Sequence, residues 1–587
     1  AFSFLPSSPR PMRAVVETFV GGQLAQHVIG YVGGGQDVQR LPDDGDNTYD
    51  VVIIGGGIAG LSAARTLRQK FEQENDKVGE RRRRFLILES RSRLGGRVWS
   101  DTMPQRMLDT QSSSTSNFLP AISIDLGASY MHGCETASQP VFDLAVEHRV
   151  RAAIVAGGKQ FEDTETAFWF RSDKGDRVES FEIARMHTLW YKIDTYMGKL
   201  VSKLTEKQLA KADVESLYRV ALKSILRRFY SEEYGDGKLS DLQNSILRKL
   251  IRRTYGYVSN LKETGLEQMR PAPGERVSNV DIDSKFGSRA HVEQEAKRIE
   301  DLIEKSRTPE VNICKKEGEM ADRLLVDTHK WLVELLSDGI PILYRRQVSS
   351  IKVFENESND DNDKGESKDF HNVLVGCKDG TEYSCRAVIC TVPLPVLKNI
   401  SIHPPFSKRR CESLQKVATG AHNKIILRFD PSKMFWPSSV PQFNCDDQRF
   451  QFLNLHAYGK LGMLMAHIFP PYAFSYGDTK NDNEVVMEVL KVLARIFKTS
   501  EDHAHSALLD YRVTRWHSDP HSQGSYSYLK PGGRYADLRE ISKPHPPRSK
   551  LIYFAGEAMA LVGFQCVHGA YITGREAAES VHKQVRG

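Results

Sequence analysis

Cysteine is scarce in this chain and carries no pattern. Its eight cysteines, at 134, 314, 377, 385, 390, 411, 445 and 566, include no C-x-x-C pair. They therefore give neither a readable zinc site nor a disulfide framework, and no metal site is expected; a reducing compartment is the simpler setting. Long apolar runs are missing too. Nothing approaches the roughly 18 apolar residues that cross a bilayer, so no membrane span is expected. Charge of one sign is also lacking: a net +6 over 587 residues implies no nucleic-acid partner. Residues 1–47 hold no signal-peptide core. Ala1–Arg13 has no acid and carries Ser, Pro and Arg, which reads either as part of a transit sequence or as a disordered tail. The expected location is intracellular, the cytoplasm first, with organelle and nucleus left open.

What is present is an ordinary globular composition, 40% hydrophobic and 27% charged, long enough for two or three domains. The most informative stretch is Val51-Val52-Ile53-Ile54-Gly55-Gly56-Gly57-Ile58-Ala59-Gly60. Four β-branched residues in a row predict a strand buried on both faces, and Leu61–Leu67 continues as a helix. Gly55 allows the tight turn, Gly57 lets backbone approach a pyrophosphate, and Gly60 lets helix pack on strand. The helix N-terminus then offers unpaired N–H groups to phosphate. A second apolar run, Phe85-Leu86-Ile87-Leu88, ends at Glu89, where a carboxylate meets a ribose hydroxyl. The gap exceeds the usual spacing of about 20 residues; the excess is Lys77–Arg84, a charged surface loop. Gly95, Gly96 and Arg97 follow, adding backbone and cationic contacts for a dinucleotide.

Further motifs extend the pattern. They are Ile124-Asp125-Leu126-Gly127-Ala128-Ser129-Tyr130-Met131-His132-Gly133, Thr419-Gly420-Ala421-His422-Asn423-Lys424-Ile425, and Thr514-Arg515-Trp516 with Gly524-Ser525-Tyr526-Ser527-Tyr528. Phe554-Ala555-Gly556-Glu557 and Val567-His568-Gly569-Ala570-Tyr571 close the series. In this order they resemble the FAD-dependent amine oxidases, the family of polyamine oxidases, monoamine oxidases and lysine-specific histone demethylases. The resemblance implies an α/β fold. A discontinuous Rossmann-type FAD-binding domain would comprise 48–135, 317–405 and 512–587. An α+β substrate-binding domain would comprise 136–316 and 406–511, with residues 1–47 outside both.

Along the chain, helices are expected over Phe181–Leu204 and Val214–Tyr230, with no strand alternation between 140 and 265. Residues 271–316 match the family poorly. Their stripe of Val292, Ala296, Ile299 and Ile303 predicts a helix on a surface insertion, the alternative being a projection for a protein partner. A helix over Ala321–Leu336 is expected next, then strands at Ile340–Tyr344, Val348–Phe354, Val373–Gly376 and Ala387–Thr391, with a mobile acidic loop at Glu355–Asp369. Strands at Lys424–Phe429 and Met463–Ile468 and a helix at Glu484–Phe497 follow.

The resemblance also implies roles. Lys424, which composition alone would read as an edge-strand lysine in water, would hold a water near the flavin ring and assist the reaction with oxygen. Tyr526 would face the substrate beside the flavin, as an aromatic suited to an amine; Tyr528 is a weaker candidate. Where polyamine oxidases often have a second such aromatic this chain has Cys566, so the cage is either incomplete or completed by Phe564. His132 either tunes the protonation of the amine or is a buried structural histidine. Gly556 and Glu557 would meet the ribityl or pyrophosphate part, Val567 the ring, and Val348 the adenine; Trp516 would line the flavin or simply fill the core. Ser525 stands where covalently flavinylated relatives carry cysteine, so FAD is expected to be non-covalent. The implied reaction takes an amine to an imine and then an aldehyde, with O2 reduced to H2O2. A polyamine is the expected substrate; a methylated histone lysine and a flavin-binding scaffold without catalysis are the alternatives.

Overall fold

The computed structural model describes residues 47–75, 83–107, 118–134, 139–155, 167–233, 238–256, 258–269, 288–307, 309–315, 322–354 and 372–586. The expectations for residues 1–46, for most of the charged loop Lys77–Arg84 and for the acidic loop 355–369 lie outside them.

The four β-branched residues at 51–54 do enter a strand covered on both faces. Thr48–Ile54 (β1) runs parallel to Phe85–Leu88 (β2) on one side and to Glu382–Cys390 on the other. The sheet continues to Ile342–Leu343 beyond β2, and through Val373–Cys377 and Val348–Val353 to Ser401–His403 in the other direction. Ile552–Phe554 also pairs with Glu382–Cys390, along its Val388–Cys390 end. One sheet is thus built from three separated parts of the chain. Helix α1 (Ile58–Asn75) and the C-terminal helix Val567–Arg586 share one core beside it, with Leu61, Ala64, Leu67, Ala578 and Val581 buried.

A second sheet of six strands orders Leu508–Val513, Asn423–Phe429, Met463–Ile468, Phe450–Leu453, Gln442–Cys445 and Phe168–Phe170. Alternation decides its two faces. Ile425, Leu427 and Phe429 face a core that includes residues of the helices Ser180–Val201, Val214–Glu233, Asp241–Tyr255 and Asp482–Ile496. Ile426, Met463 and Met465 face Ile124, Leu126 and Tyr130. Lys424 therefore belongs to the face turned toward the 124–130 segment.

Several expectations are corrected. No helix covers 322–329: Arg323–Leu325 is a strand between Tyr130–Met131 and Arg151–Ile154, and the helix is only Lys330–Ser337. Pairing with two neighbours outweighs the helical period, and the positive φ of 61° at Thr328 breaks the chain before the helix. Strands do occur between 140 and 265, at Arg151–Ile154 and Phe168–Phe170; they are short and largely buried, so no alternation advertises them. Val141, Phe142, Ala145, Ala152 and Cys314, placed in the substrate domain by sequence, pack in the core of β1 and α1. The helix Arg289–Ser306 forms, but its stripe is not offered outward. Val292, Ile299 and Ile303 are buried in the core shared with Ser180–Val201.

Candidate active site

A cavity of ≈ 540 Å³ lies between the β1–α1 turn and the 124–130 face of the six-stranded sheet. Of the site residues expected from sequence, all line it except Gly60, Tyr528 and Phe564. Gly60 serves packing: a Cβ there would lie 1.9 Å from the Gly55 carbonyl oxygen. Gly55 holds φ +101°, which glycine alone adopts without strain. At Gly57 a Cβ would meet nothing nearer than the Gly95 oxygen at 4.0 Å, so the protein itself does not require glycine there. That gap is a cradle a side chain would fill, and it sits at the N-terminus of α1.

Around it the polar groups are already set. Glu89 accepts from the Gly56 N–H at 2.6 Å through Oε2 and from the Arg91 N–H at 2.7 Å through Oε1. Oε1 also accepts from the Ser90 hydroxyl at 3.3 Å, so it is Oε2 that keeps a lone pair open to a ribose. The Arg91 guanidinium grips Asp519 with two bonds of 2.8 Å, tying the turn after β2 to the Trp516 loop. Val348 lines the cavity beside Arg346 and Gln347. Arg97 donates to Glu557 at 2.8 Å and to the Ser525 carbonyl at 3.1 Å. Glu557 also accepts from the Ser527 hydroxyl at 2.8 Å, so its carboxylate is the junction of three chain segments. Trp516 is buried, donates its indole N–H to the Leu126 carbonyl at 3.3 Å, and meets Trp99 edge-on.

Lys424 is buried, not an edge lysine in water. Its Nζ donates to the Asp125 carbonyl at 3.1 Å, and also to the Gly127 carbonyl and the Ser129 hydroxyl. Burial pulls its pKa down from 10.5 to about 8, against the opposing pull of Asp125. Tyr526 hydrogen-bonds through its hydroxyl to His422 Nδ1 at 2.9 Å, and His422 Nε2 meets His467 Nδ1 at 2.9 Å. Burial, with the positive charges of Lys424 and Arg253, drives His422 down to about 3 and His467 well below its usual value. These influences favour the neutral form of both rings. Tyr528 does not line the cavity; its hydroxyl points to Glu263 at 3.4 Å.

On another wall His132 Nδ1 meets Asp322 at 2.8 Å, and Asp322 also accepts from the Gly133 N–H at 3.1 Å. Cys566 and Gln565 line the cavity, whereas Phe564 does not, so no aromatic replaces the missing one there. Burial pushes the Cys566 thiol up to about 12. His422, His467 and Asp322 were missed as site residues by sequence reasoning. His422 carried a signal, two residues before Lys424 in the same motif. His467 and Asp322 carried none, because strand pairing brings them in.

The family model for the flavin containing amine oxidoreductases matches residues 58–582. The chain belongs to that family. This amine oxidoreductase is 27% identical over 550 residues to "Lysine-specific histone demethylase 1 homolog 3" of Arabidopsis thaliana, covering 90% of this chain but 30% of that relative. It is 25% identical over 566 residues to "Polyamine oxidase 5" of Oryza sativa subsp. japonica, covering 95% of this chain and 92% of the relative. Its fold is similar to a solved double mutant of putrescine oxidase from a redesign of cofactor binding, at TM-score 0.55 and 16% identity, over 91% of this chain and 99% of that one. The cofactor is FAD, and the residues fit a non-covalent hold. The cradle at Gly57 is open, the Ser525 hydroxyl is spent on the Gly420 carbonyl and the His422 N–H, and the Cys566 thiol stays protonated. Among the described residues no helix is long and apolar enough to cross a membrane.

Proposed function

We propose that this amine oxidoreductase oxidises a polyamine (spermine, spermidine or an acetylated form) to an imine that hydrolyses to an aldehyde, with O2 reduced to H2O2. The observation that carries the reading is a single cavity joining the dinucleotide cradle to Lys424, Tyr526 and the Asp322–His132 pair. FAD supplies the two-electron oxidation when bound. The protein's residues do the rest. Gly55, Gly57, Glu89 and Val348 hold the nucleotide end, and Arg97, Glu557, Gly556, Trp516 and Val567 the remainder. Lys424 holds a proton close to its release point near neutral pH, which suits proton delivery during the oxygen half-reaction. Tyr526 offers an aromatic face and a hydroxyl to the reacting nitrogen.

The cavity-lining acids are Glu89, Asp322 and Glu557. Glu89 is engaged by backbone N–H groups and Glu557 by Arg97. Asp322 accepts from the Gly133 N–H and meets the His132 imidazole, and a second, cationic nitrogen of a polyamine is the ligand this carboxylate suits. His132, its Nδ1–H turned to Asp322, orients that carboxylate. A protein partner for the 271–316 region finds less support, because the apolar stripe is used inside the chain.

The test is H2O2 release by purified, yellow protein. The panel is spermine, spermidine, acetylspermine, a monoamine and a dimethyl-lysine histone peptide, with Lys424→Met as control. Polyamine turnover, severely slowed in Lys424→Met, is the expected result. Turnover of the peptide alone moves the protein to the demethylases, and silence with FAD bound leaves a scaffold.

A further inference from the structure

We propose that Tyr526, His422 and His467 form a proton relay that strips the ammonium form of the incoming amine. The inference rests on the reading of this cavity as an amine-oxidising site. A free aliphatic amine has a pKa near that of lysine, so near pH 7 roughly one molecule in a thousand or fewer is neutral. Loss of two electrons from the C–N unit needs the neutral form, so the site gains from removing that proton itself.

The geometry is that of a wire. Tyr526, His422 and His467 all line the cavity, and the two links between them are each 2.9 Å. His422 lies just before the strand that carries Lys424, and His467 is the cross-strand partner of Lys424. Among the described residues His467 Nε2 makes no hydrogen bond. A neutral imidazole has one N–H and one bare nitrogen, so each link holds one proton and the chain can point only one of two ways. In the first, the Tyr526 O–H donates to His422 Nδ1, His422 Nε2–H donates to His467 Nδ1, and His467, itself a cavity-lining residue, carries its proton on Nε2. The Tyr526 oxygen is then an acceptor for an ammonium N–H.

Transfer reverses the chain. The ammonium N–H breaks as a new bond forms to the Tyr526 oxygen, and the former phenolic proton moves to His422 Nδ1. His422 Nε2–H passes its proton to His467 Nδ1, and His467 Nε2–H releases one to water. The balance is ammonium plus water giving amine plus hydronium, with no change of oxidation state. The reversed chain now aims the Tyr526 O–H at the lone pair of the neutral amine, so the product of the transfer is the form the chain then holds. The charged groups acting on the pair are Lys424, from the strand that begins just after His422, and Arg253, from the helix Asp241–Tyr255. Both are cationic and keep either ring from storing the proton, which makes the pair a conduit and not a base.

The experiment is anaerobic mixing of the FAD-loaded enzyme with spermine, following flavin bleaching against pH. The variants are His467→Gln, which keeps a hydrogen-bonding side chain but cannot relay, and His422→Leu. Both should bleach more slowly near pH 7 by a factor on the order of ten or more, and come within about twofold of the wild type near pH 10, where roughly a third of the amine already arrives neutral. The wild type itself should show a curved proton inventory in H2O/D2O mixtures near pH 7, from several protons moving together. Equal slowing of the variants at every pH, or a linear inventory, overturns the relay while leaving the amine-oxidase reading intact. A wild type bleached by no amine removes the reading and the relay together.

Discussion

Two glycines of the same turn should fail in different ways when each is changed to alanine. At Gly60 the new methyl would lie 1.9 Å from the Gly55 oxygen and 3.1 Å from the Gly55 carbonyl carbon and the Thr391 hydroxyl. The first contact is backbone and cannot swing aside, so α1 must move off β1 by more than an ångström. Overpacking of that kind costs about 3 kcal/mol, enough to lower the melting temperature by several degrees. At Gly57 the nearest atom is 4.0 Å away, so the apoprotein should accept the methyl with stability unchanged to about 0.5 kcal/mol, or slightly raised through the unfolded state. The methyl would instead occupy the space a pyrophosphate needs. If that contact costs about 1.4 to 3 kcal/mol, FAD affinity falls on the order of ten- to a hundredfold. Flavin-stripped proteins, melted with and without FAD and titrated by quenching of flavin fluorescence, separate the two effects. The reasoning is wrong if Gly57→Ala apoprotein melts as early as Gly60→Ala, or if it binds FAD like the wild type.

Two further outcomes follow from burial. Lys424 falls from 10.5 to about 8 on folding, so between those values the unfolded chain binds more protons than the folded one. Its burial cost is therefore full below about pH 8 and recedes as pH rises through the window, adding about 3 kcal/mol of stability by its upper edge. In apoprotein urea titrations the wild type should gain that much on Lys424→Met between pH 8 and 10.5; a constant difference refutes it. Ile299 is 2% exposed against the helix Ser180–Val201, so Ile299→Ala should destabilise the protein by about 2 to 4 kcal/mol. An unchanged melting curve would mean the stripe is not part of the core.

Much of the nucleotide half was readable because its signals are local. A run of β-branched residues ending in spaced glycines leaves few choices other than strand, turn and helix, and β1 and α1 follow it closely. Glu89 was readable as the acid ending the next apolar run. The helix expected at Ala321–Leu336 failed for the opposite reason. Arg323–Leu325 is short, and only its place between Tyr130–Met131 and Arg151–Ile154 makes it a strand. The same holds for Arg151–Ile154 and Phe168–Phe170, whose buried residues show no alternation.

The sequence by itself determined the dinucleotide turn and the glycines that shape it, since each is a matter of residue type at fixed local spacing; Lys424, Tyr526 and His132 were singled out only by the motifs that resemble the flavin amine oxidases. Tertiary structure alone decided what those residues can do. Lys424 became a depressed ammonium because the six-stranded sheet turns its face onto residues 125–129. Asp322 reached His132, and His467 reached His422, through hydrogen bonds between parts of the chain 190 and 45 residues apart. Burial and hydrogen-bond partners are properties of what surrounds a group in space, and the neighbours that matter here are distant in the chain.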